Sequence, residues 1–339
     1  MPDRIPYQLF VGLDVAAATF TATWRTPTSD PVKPVTLPQT PVGYRQLQQH
    51  LATTQVTPAQ TLVVLEATGS YWVTLAVALH QAGYTVSVVH PNHVTNYAKS
   101  LPRRAKTDSC DAQLLVHFAV ERQPAVWTPP PQVYHELRQR LVARDALLTM
   151  RQQARNHRHA LVQWPVQVAA VKAQLDAVLA DLEARITTLE QEIEAVLADS
   201  AWTQSAVLLR TINSVGPLTT AWLLVLTLNF QHCPTSAAAA AYAGLVPMAH
   251  ESGSSVRGRA RLGHGGNKRL RTALYLATLN ATRFNPVIRA FYQRLRAKGK
   301  PKKVARCAAA RKLLQIAWAV VTTGAPFDAE HHHPHRDDR

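Results

Sequence analysis

Residues 9–15 (LFVGLDV) and 19–25 (TFTATWR) are β-branched and aromatic runs separated by a short break, a pattern that predicts a β-hairpin. Residues 61–66 (TLVVLE) and 84–90 (YTVSVVH) are short and largely apolar, as strands covered on both faces are. Helical spacing falls between and after them, at 42–54, 71–82 and 108–121. A hairpin followed by strand–helix units predicts an α/β layered domain with a mixed sheet. Pro124 and Pro129-Pro130-Pro131 then punctuate the chain as a linker.

The pattern changes after the prolines. From 135 to 197 it is helical and free of glycine. The first half is basic, with Arg138, Arg140, Arg144, Arg151, Arg155 and Arg158. The second half is acidic with heptad-like apolar spacing, and Pro165 separates the two. Two antiparallel helices fit that pattern, and so does a coiled coil between protomers. The arginines fit a solvated helix face or a nucleic-acid contact. The last third, 202–323, is mainly helical with glycine-marked turns. Among these, Ser214-Val215-Gly216-Pro217 suits either a backbone phosphate cradle or an ordinary helix connector. The expected division is 1–125, an α/β domain; 132–200, a basic helix and coiled-coil linker; 201–325, a helical domain; and 326–339, a disordered polar tail.

Composition narrows the function. A chain that is 47% hydrophobic can bury a sizeable core. Lys and Arg outnumber Asp and Glu by 37 to 21, and a net charge of +16 favours a polyanionic partner. Charge alone does not separate DNA from RNA or an anionic membrane. No run approaches the roughly 18–20 apolar residues of a spanning helix, and Met1-Pro2-Asp3-Arg4-Ile5-Pro6 does not begin a secretory leader. A cytoplasmic location is therefore expected. Cys110, Cys233 and Cys307 lie too far apart for a metal knuckle and read as small buried hydrophobes. The histidines at 331–335 read as a polar terminus.

Four acids stand out by position. Asp14 lies at the end of the first strand and Glu66 closes the third strand signal. Asp108 and Asp111 stand three apart at a helix start, on one face of it. Carboxylates at the C-terminal ends of neighbouring strands converge at one sheet edge, and a helix pair can reach the same edge. Four such groups repel one another unless hard cations lie between them, and Mg²⁺ (or Mn²⁺) suits oxygen ligands. Taken singly, each acid also fits a turn or a helix cap.

A second constellation runs from Gly244-Leu245-Val246-Pro247 through Glu251-Ser252-Gly253-Ser254-Ser255 to Arg257, Arg259 and Arg261. It continues with Gly263-His264-Gly265-Gly266-Asn267 and Lys268, Arg269 and Arg271. Glycine-rich, arginine-studded loops let a backbone approach phosphates closely. A serine there is either part of a basic loop or a nucleophile for a phosphodiester. The Gly-His-Gly-Gly portion follows no obvious strand, which disfavours a dinucleotide fingerprint. Lys300, Lys302 and Lys303 add a further basic patch before an apolar helix at 304–322.

At these residues the chain resembles the insertion-sequence 110 family of DEDD transposases, which includes the pilin-gene invertases. The resemblance rests on Gly12-Leu13-Asp14-Val15, Glu66-Ala67-Thr68-Gly69-Ser70-Tyr71-Trp72 and Lys106-Thr107-Asp108 with Asp111-Ala112. It also rests on Gly244-Leu245-Val246-Pro247, Ser252-Gly253, Gly266-Asn267 with Leu270-Arg271, Gly299-Lys300-Pro301-Lys302-Lys303 and Arg311-Lys312-Leu313-Leu314. It implies a RuvC-like N-terminal domain of the RNase H fold group, with Asp14, Glu66, Asp108 and Asp111 as DEDD metal ligands. It implies a mainly α C-terminal transposase domain with Ser252 as the nucleophile of a covalent phosphoserine intermediate. The composite site would join one protomer's RuvC-like domain to another's serine domain, in a dimer or tetramer associated with the nucleoid. Some members are guided by a noncoding bridge RNA, which makes Arg138, Arg144, Arg151, Arg155 and Arg158 candidate RNA contacts. His264-Gly265 departs from the Lys-Arg pair the family often has, and Ser254 and Ser255 are rival serines. Two competing readings are a RuvC-like, structure-specific DNA endonuclease that uses water, and a catalytically inactive remnant that only binds nucleic acid.

Overall fold

The computed structural model describes residues 7–101, 108–252, 256–263 and 265–330, with backbone alone at 108–109, 249–252 and 256–260. The chain forms two compact units, one up to Pro129 and one from Pro130 onward.

The first unit is a mixed sheet with helices on both faces. Its strands are β1 (Leu9–Val15), β2 (Thr19–Arg25), β3 (Val35–Pro38), β4 (Thr61–Glu66) and β5 (Thr85–Val89). They lie in the order β3-β2-β1-β4-β5. β1 pairs antiparallel with β2, while β1–β4 and β4–β5 are parallel. Its helices are α1 (Pro41–Ala52), α2 (Trp72–Gln81), α3 (Pro91–Lys99) and α4 (Asp108–Arg122). The expected hairpin and both later strands are present, as are the helices at 42–54, 71–82 and 108–121. β3 and α3 were not expected: β3 is only four residues long, and α3 opens on Pro91, capped by the His90 side chain.

Alternation along the strands divides the core. Leu9, Val11 and Leu13 of β1 and Val63 and Leu65 of β4 pack with Leu47, Leu51, Leu75 and Leu79. The positions between them, Phe10 of β1 with Leu62 and Val64 of β4, pack with Val94, Tyr97, Leu114, Leu115 and Phe118. Each fully buried Leu or Phe is worth about 1.5–3 kcal/mol, so neither face can slip register by one residue. The α3/α4 face is the one that matters for the acids.

The second unit is helical apart from one hairpin. Its helices are α5 (Gln132–Leu161), α6 (Ala169–Ala198), α7 (Thr203–Arg210), α8 (Pro217–Thr227), α9 (Ser236–Tyr242), α10 (Lys268–Phe284), α11 (Pro286–Ala297) and α12 (Lys302–Thr323). Between α9 and α10 stand β6 (Pro247–Ser252) and β7 (Val256–Leu262), paired antiparallel. The Gly-His-Gly-Gly segment therefore does follow a strand, which the sequence did not reveal. That strand belongs to a two-stranded antiparallel hairpin rather than a βα unit, so a dinucleotide site is still disfavoured.

α5 and α6 form an antiparallel pair within one chain, laced by Arg140–Glu192 (2.9 Å), Arg144–Glu190 (2.5 Å), Arg155–Glu183 (2.6 Å) and Arg158–Asp176 (2.5 Å). Only one end of the pair is rooted: Val133, Leu137, Leu141, Ile193 and Leu197 share a core with Leu209, Leu223, Leu274 and Leu313. At the other end Val162, Trp164, Val166 and Val168 are exposed. Packing continues past α12, because Phe327 and Ala329 lie on this core and the Phe327 N–H donates to Thr211 Oγ1. The histidines at 331–335 lie outside the described residues. Cys233 is buried, and Cys110 and Cys307 are half-buried. Among the described residues no helix is long and apolar enough to cross a membrane.

Candidate active site

The acids of the first unit are positioned by register. Leu13 of β1 faces Leu65 of β4 in the parallel ladder, so Asp14 and Glu66 occupy the next step together. By alternation both belong to the face that carries Phe10, Leu62 and Val64, the face covered by α4. Helix α4 lies unusually close there. A Cβ at Gly12 would stand 2.3 Å from the Ala112 carbonyl oxygen and 2.5 Å from the Val116 nitrogen. Only glycine permits that approach, and Asp111 immediately precedes Ala112. Asp108 opens the helix one turn earlier. β1, β4 and α4, far apart in sequence, thus share one face of the sheet.

Asp14, Glu66 and Asp111 are each half-exposed. Thr68 Oγ1 donates to Glu66 Oε1 at 2.5 Å, which fixes one carboxylate oxygen at the strand end. Among the described residues no three His, Cys, Asp or Glu side chains come close enough together to hold a metal ion. The Asp108 side chain lies outside the described residues. The donor chemistry is nonetheless all-oxygen, as a hard divalent cation requires.

The serine of the second constellation ends a strand. Ser252 is the last residue of β6 and pairs in register with Val256 of β7. Ser254 and Ser255 fall outside the described residues, as do the side chains of Ser252, Arg257 and Arg259. The two legs of the hairpin meet at its base. Gly244 (φ +68°) and Gly266 (φ +79°) are packed back to back, and a Cβ on Gly266 would lie 2.4 Å from the Gly244 nitrogen. The Asn267 N–H donates to the Tyr242 carbonyl at 2.7 Å, and its Oδ1 accepts from the Leu270 N–H, capping α10. Burial pushes the Tyr242 hydroxyl above the usual tyrosine range, and the hydrogen bond from Asn267 partly offsets this.

The expected phosphate-binding cations divide into engaged and unengaged groups. Arg144, Arg155 and Arg158 face acids of α6, and Arg138 donates to Tyr134 Oη at 3.0 Å. Arg151 is half-exposed on the same helix. Arg269 is held inside the unit, its Nη2 donating to Asp145 Oδ1 at 2.9 Å and its guanidinium 4.0 Å above the Trp222 ring. Arg271 donates to backbone carbonyls. By contrast Arg261, Lys268, Lys300, Lys302 and Lys303 are exposed. So are Arg283, Arg289 and Arg294, which the sequence pattern did not single out, with Arg294 also 5.4 Å from the Phe291 ring centroid. A signal for them exists: from Ser252 to Phe327 the chain has 17 Lys and Arg and no Asp or Glu.

Residues 11–164 match a family model for DEDD transposases of the IS110 type, and residues 206–293 match a model described as transposase, IS116/IS110/IS902 family. The chain is 31% identical over 329 residues to the pilin gene-inverting protein of Moraxella lacunata, covering 95% of this chain and 98% of that one. It is 30% identical over 335 residues to the pilin gene-inverting protein of Moraxella bovis, with the same coverage. An IS110 insertion-element protein of 43.6 kDa from Streptomyces coelicolor is 33% identical over 162 residues, 46% of this chain and 39% of that one. The acid-bearing sheet and the glycine-based hairpin each fall within a matched segment, and the chain belongs to the IS110 family of transposases, enzymes that recombine DNA.

Proposed function

We propose that this transposase cuts and rejoins DNA through a RuvC-like acid site made of Asp14, Glu66, Asp108 and Asp111 and a nucleophilic Ser252. The observation that supports it best is the in-step placement of Asp14 and Glu66 on the sheet face where Gly12 admits α4 and its acids. Mg²⁺ or Mn²⁺ held by the four carboxylates would polarise the scissile phosphate and stabilise developing charge on its oxygens. Ser252 Oγ would form the new bond to phosphorus as the bond to the leaving deoxyribose oxygen breaks. The serine proton passes to a base and the leaving oxygen takes one up. The phosphodiester energy is thereby kept in a serine ester, ready for rejoining, instead of being lost to water. That fits relatives named for inverting a gene, which must reseal what they cut.

The cationic face formed by α10, α11 and the turn into α12 would hold DNA phosphates. A noncoding guide RNA, with α5 (Arg151 included) as its candidate seat, would supply sequence recognition. A dimer or tetramer acting at the nucleoid completes the reading.

The decisive test is a strand-cleavage assay on DNA carrying the native flanks of this gene. Asp14→Asn should lower cleavage by at least about a thousandfold, the scale seen when a preorganised transition-state contact is lost. It should leave the fold intact, since it removes one charge from a repulsive group. Cleavage at the wild-type rate would reject the acid site. Ser252→Ala separates strand transfer from hydrolysis: a nuclease that uses water would still cut.

A further inference from the structure

Of the described side chains of the hairpin that carries Ser252, Leu262 packs against the core while Met248 is exposed. The described contacts that tie the hairpin to the helices lie at its base, where the chain enters after Gly244 and leaves before Gly265. One side chain touches both legs there. Arg271 Nη1 lies 2.9 Å from the Gly265 carbonyl oxygen, 3.2 Å from that of Ala243 and 3.4 Å from that of Gly244. Its two hydrogens are shared among three acceptors, two on the incoming leg and one on the outgoing leg.

The surroundings are shaped to fit this contact. A Cβ on Gly244 would lie 2.2 Å from Arg271 Nη1 and 2.3 Å from the Gly265 oxygen, so the position has no room for a side chain. Arg271 sits in the first turn of α10, which Asn267 caps and ties to Tyr242. The guanidinium thus anchors the hairpin to a helix embedded in the core through Leu270 and Leu274. A guanidinium offers its N–H donors in a rigid planar fork, a geometry that a lysine ammonium does not reproduce.

We propose that Arg271 is a positioning residue for Ser252: it clips together the two legs of the β6–β7 hairpin and holds the end of β6 in register for strand transfer. The proposal rests on the reading of Ser252 as the nucleophile. It also gives Arg271 a role other than the phosphate contact expected from its place in a basic run.

The test uses the full chain and DNA with its native flanks, comparing Arg271→Lys, Arg271→Gly, Gly244→Ala and Ser252→Ala. Arg271→Lys should slow single-turnover formation of the covalent protein–DNA adduct by about ten- to a hundredfold, the range expected from a misplacement near 1 Å. Affinity for a duplex of about 30 base pairs and its salt slope should stay unchanged, because no phosphate contact is lost. Amide exchange over 247–262 should quicken while that of α8 does not. Added guanidinium ion should restore part of the rate to Arg271→Gly. Gly244→Ala should reproduce the slow adduct, and the double variant should be no worse than either single one. A wild-type adduct rate in Arg271→Lys, with Ser252→Ala inactive, would overturn the positioning role alone. So would a salt slope shallower by about one unit with the rate recovered at saturating DNA, which is the signature of a phosphate contact. Adduct formation that survives in Ser252→Ala would instead reject the serine, and the clip's purpose with it.

Discussion

Helix α5 and the stretch from 252 to 327 are both arginine-rich, but they differ in what faces them. On α5 the arginines at 140, 144, 155 and 158 each find an acid on α6, at distances of 2.5–2.9 Å. The later stretch has no acid of its own. Among its described residues Arg269 pairs with Asp145, an acid borrowed from α5. Cation count does not separate the two regions, whereas the neighbouring helix does. On α5 the charges choose a partner helix and a register, each exposed pair adding at most about 1 kcal/mol. On α11 and the turn into α12 they remain available to a polyanion.

The largest effect should come from the unpaired face. Changing Arg289, Arg294, Lys300 and Lys303 together to Gln should weaken binding to a duplex of about 30 base pairs by about a hundredfold or more near 0.1 M salt. It should flatten the slope of log affinity against log salt by about 3 to 4, as expected for four lost phosphate contacts. A fluorescence titration across salt concentrations reads both, and an unchanged slope would erase the distinction drawn here. The paired face offers the reverse experiment. Asp176→Asn with Glu183→Gln should release Arg155 and Arg158 and raise affinity for DNA or RNA by about tenfold with a steeper slope, about one unit per new contact. If affinity does not move, those arginines serve the hairpin alone. The smallest effect on binding belongs to Arg269→Gln. It should leave the salt slope untouched but cost roughly 1–3 kcal/mol in denaturant unfolding, because Asp145 loses the shorter of its two ion pairs and the Trp222 ring its cation.

Much of the fold was legible because its signals are local. The runs LFVGLDV and TLVVLE carry strand identity in six or seven residues, and the observed strands match them end for end. Helix α5 and helix α6 were legible as helices, but the choice between an intramolecular pair and a coiled coil between protomers was not. The Arg140–Glu192 and Arg158–Asp176 pairings show the intramolecular pair, and they depend on contacts across a turn. The hairpin of β6 and β7 was hidden because PMAHES lacks apolar alternation, and the alternation in VRGRARL passes through the small residues Gly258 and Ala260 between arginines, which read as loop. The acid positions were legible singly. Their convergence at one sheet edge was also expected, but the in-step placement of Asp14 and Glu66 was not, because it needs the parallel register of β1 with β4. What braces the serine loop could not be read either. Arg271 reaches carbonyls, and carbonyls leave no trace in a residue pattern.

Gly12 has a consequence for how such a transposase can be silenced. It carries no functional group, yet any side chain there would meet the backbone of α4 at 2.3–2.5 Å and force the helix outward. Asp108 and Asp111 ride on that helix, so in the proposed acid site displacement would separate them from Asp14 and Glu66 with every carboxylate still present. A copy inactivated in this way would pass inspection of its four acids. Judging whether a mobile element of this kind is alive therefore requires reading a residue that does no chemistry.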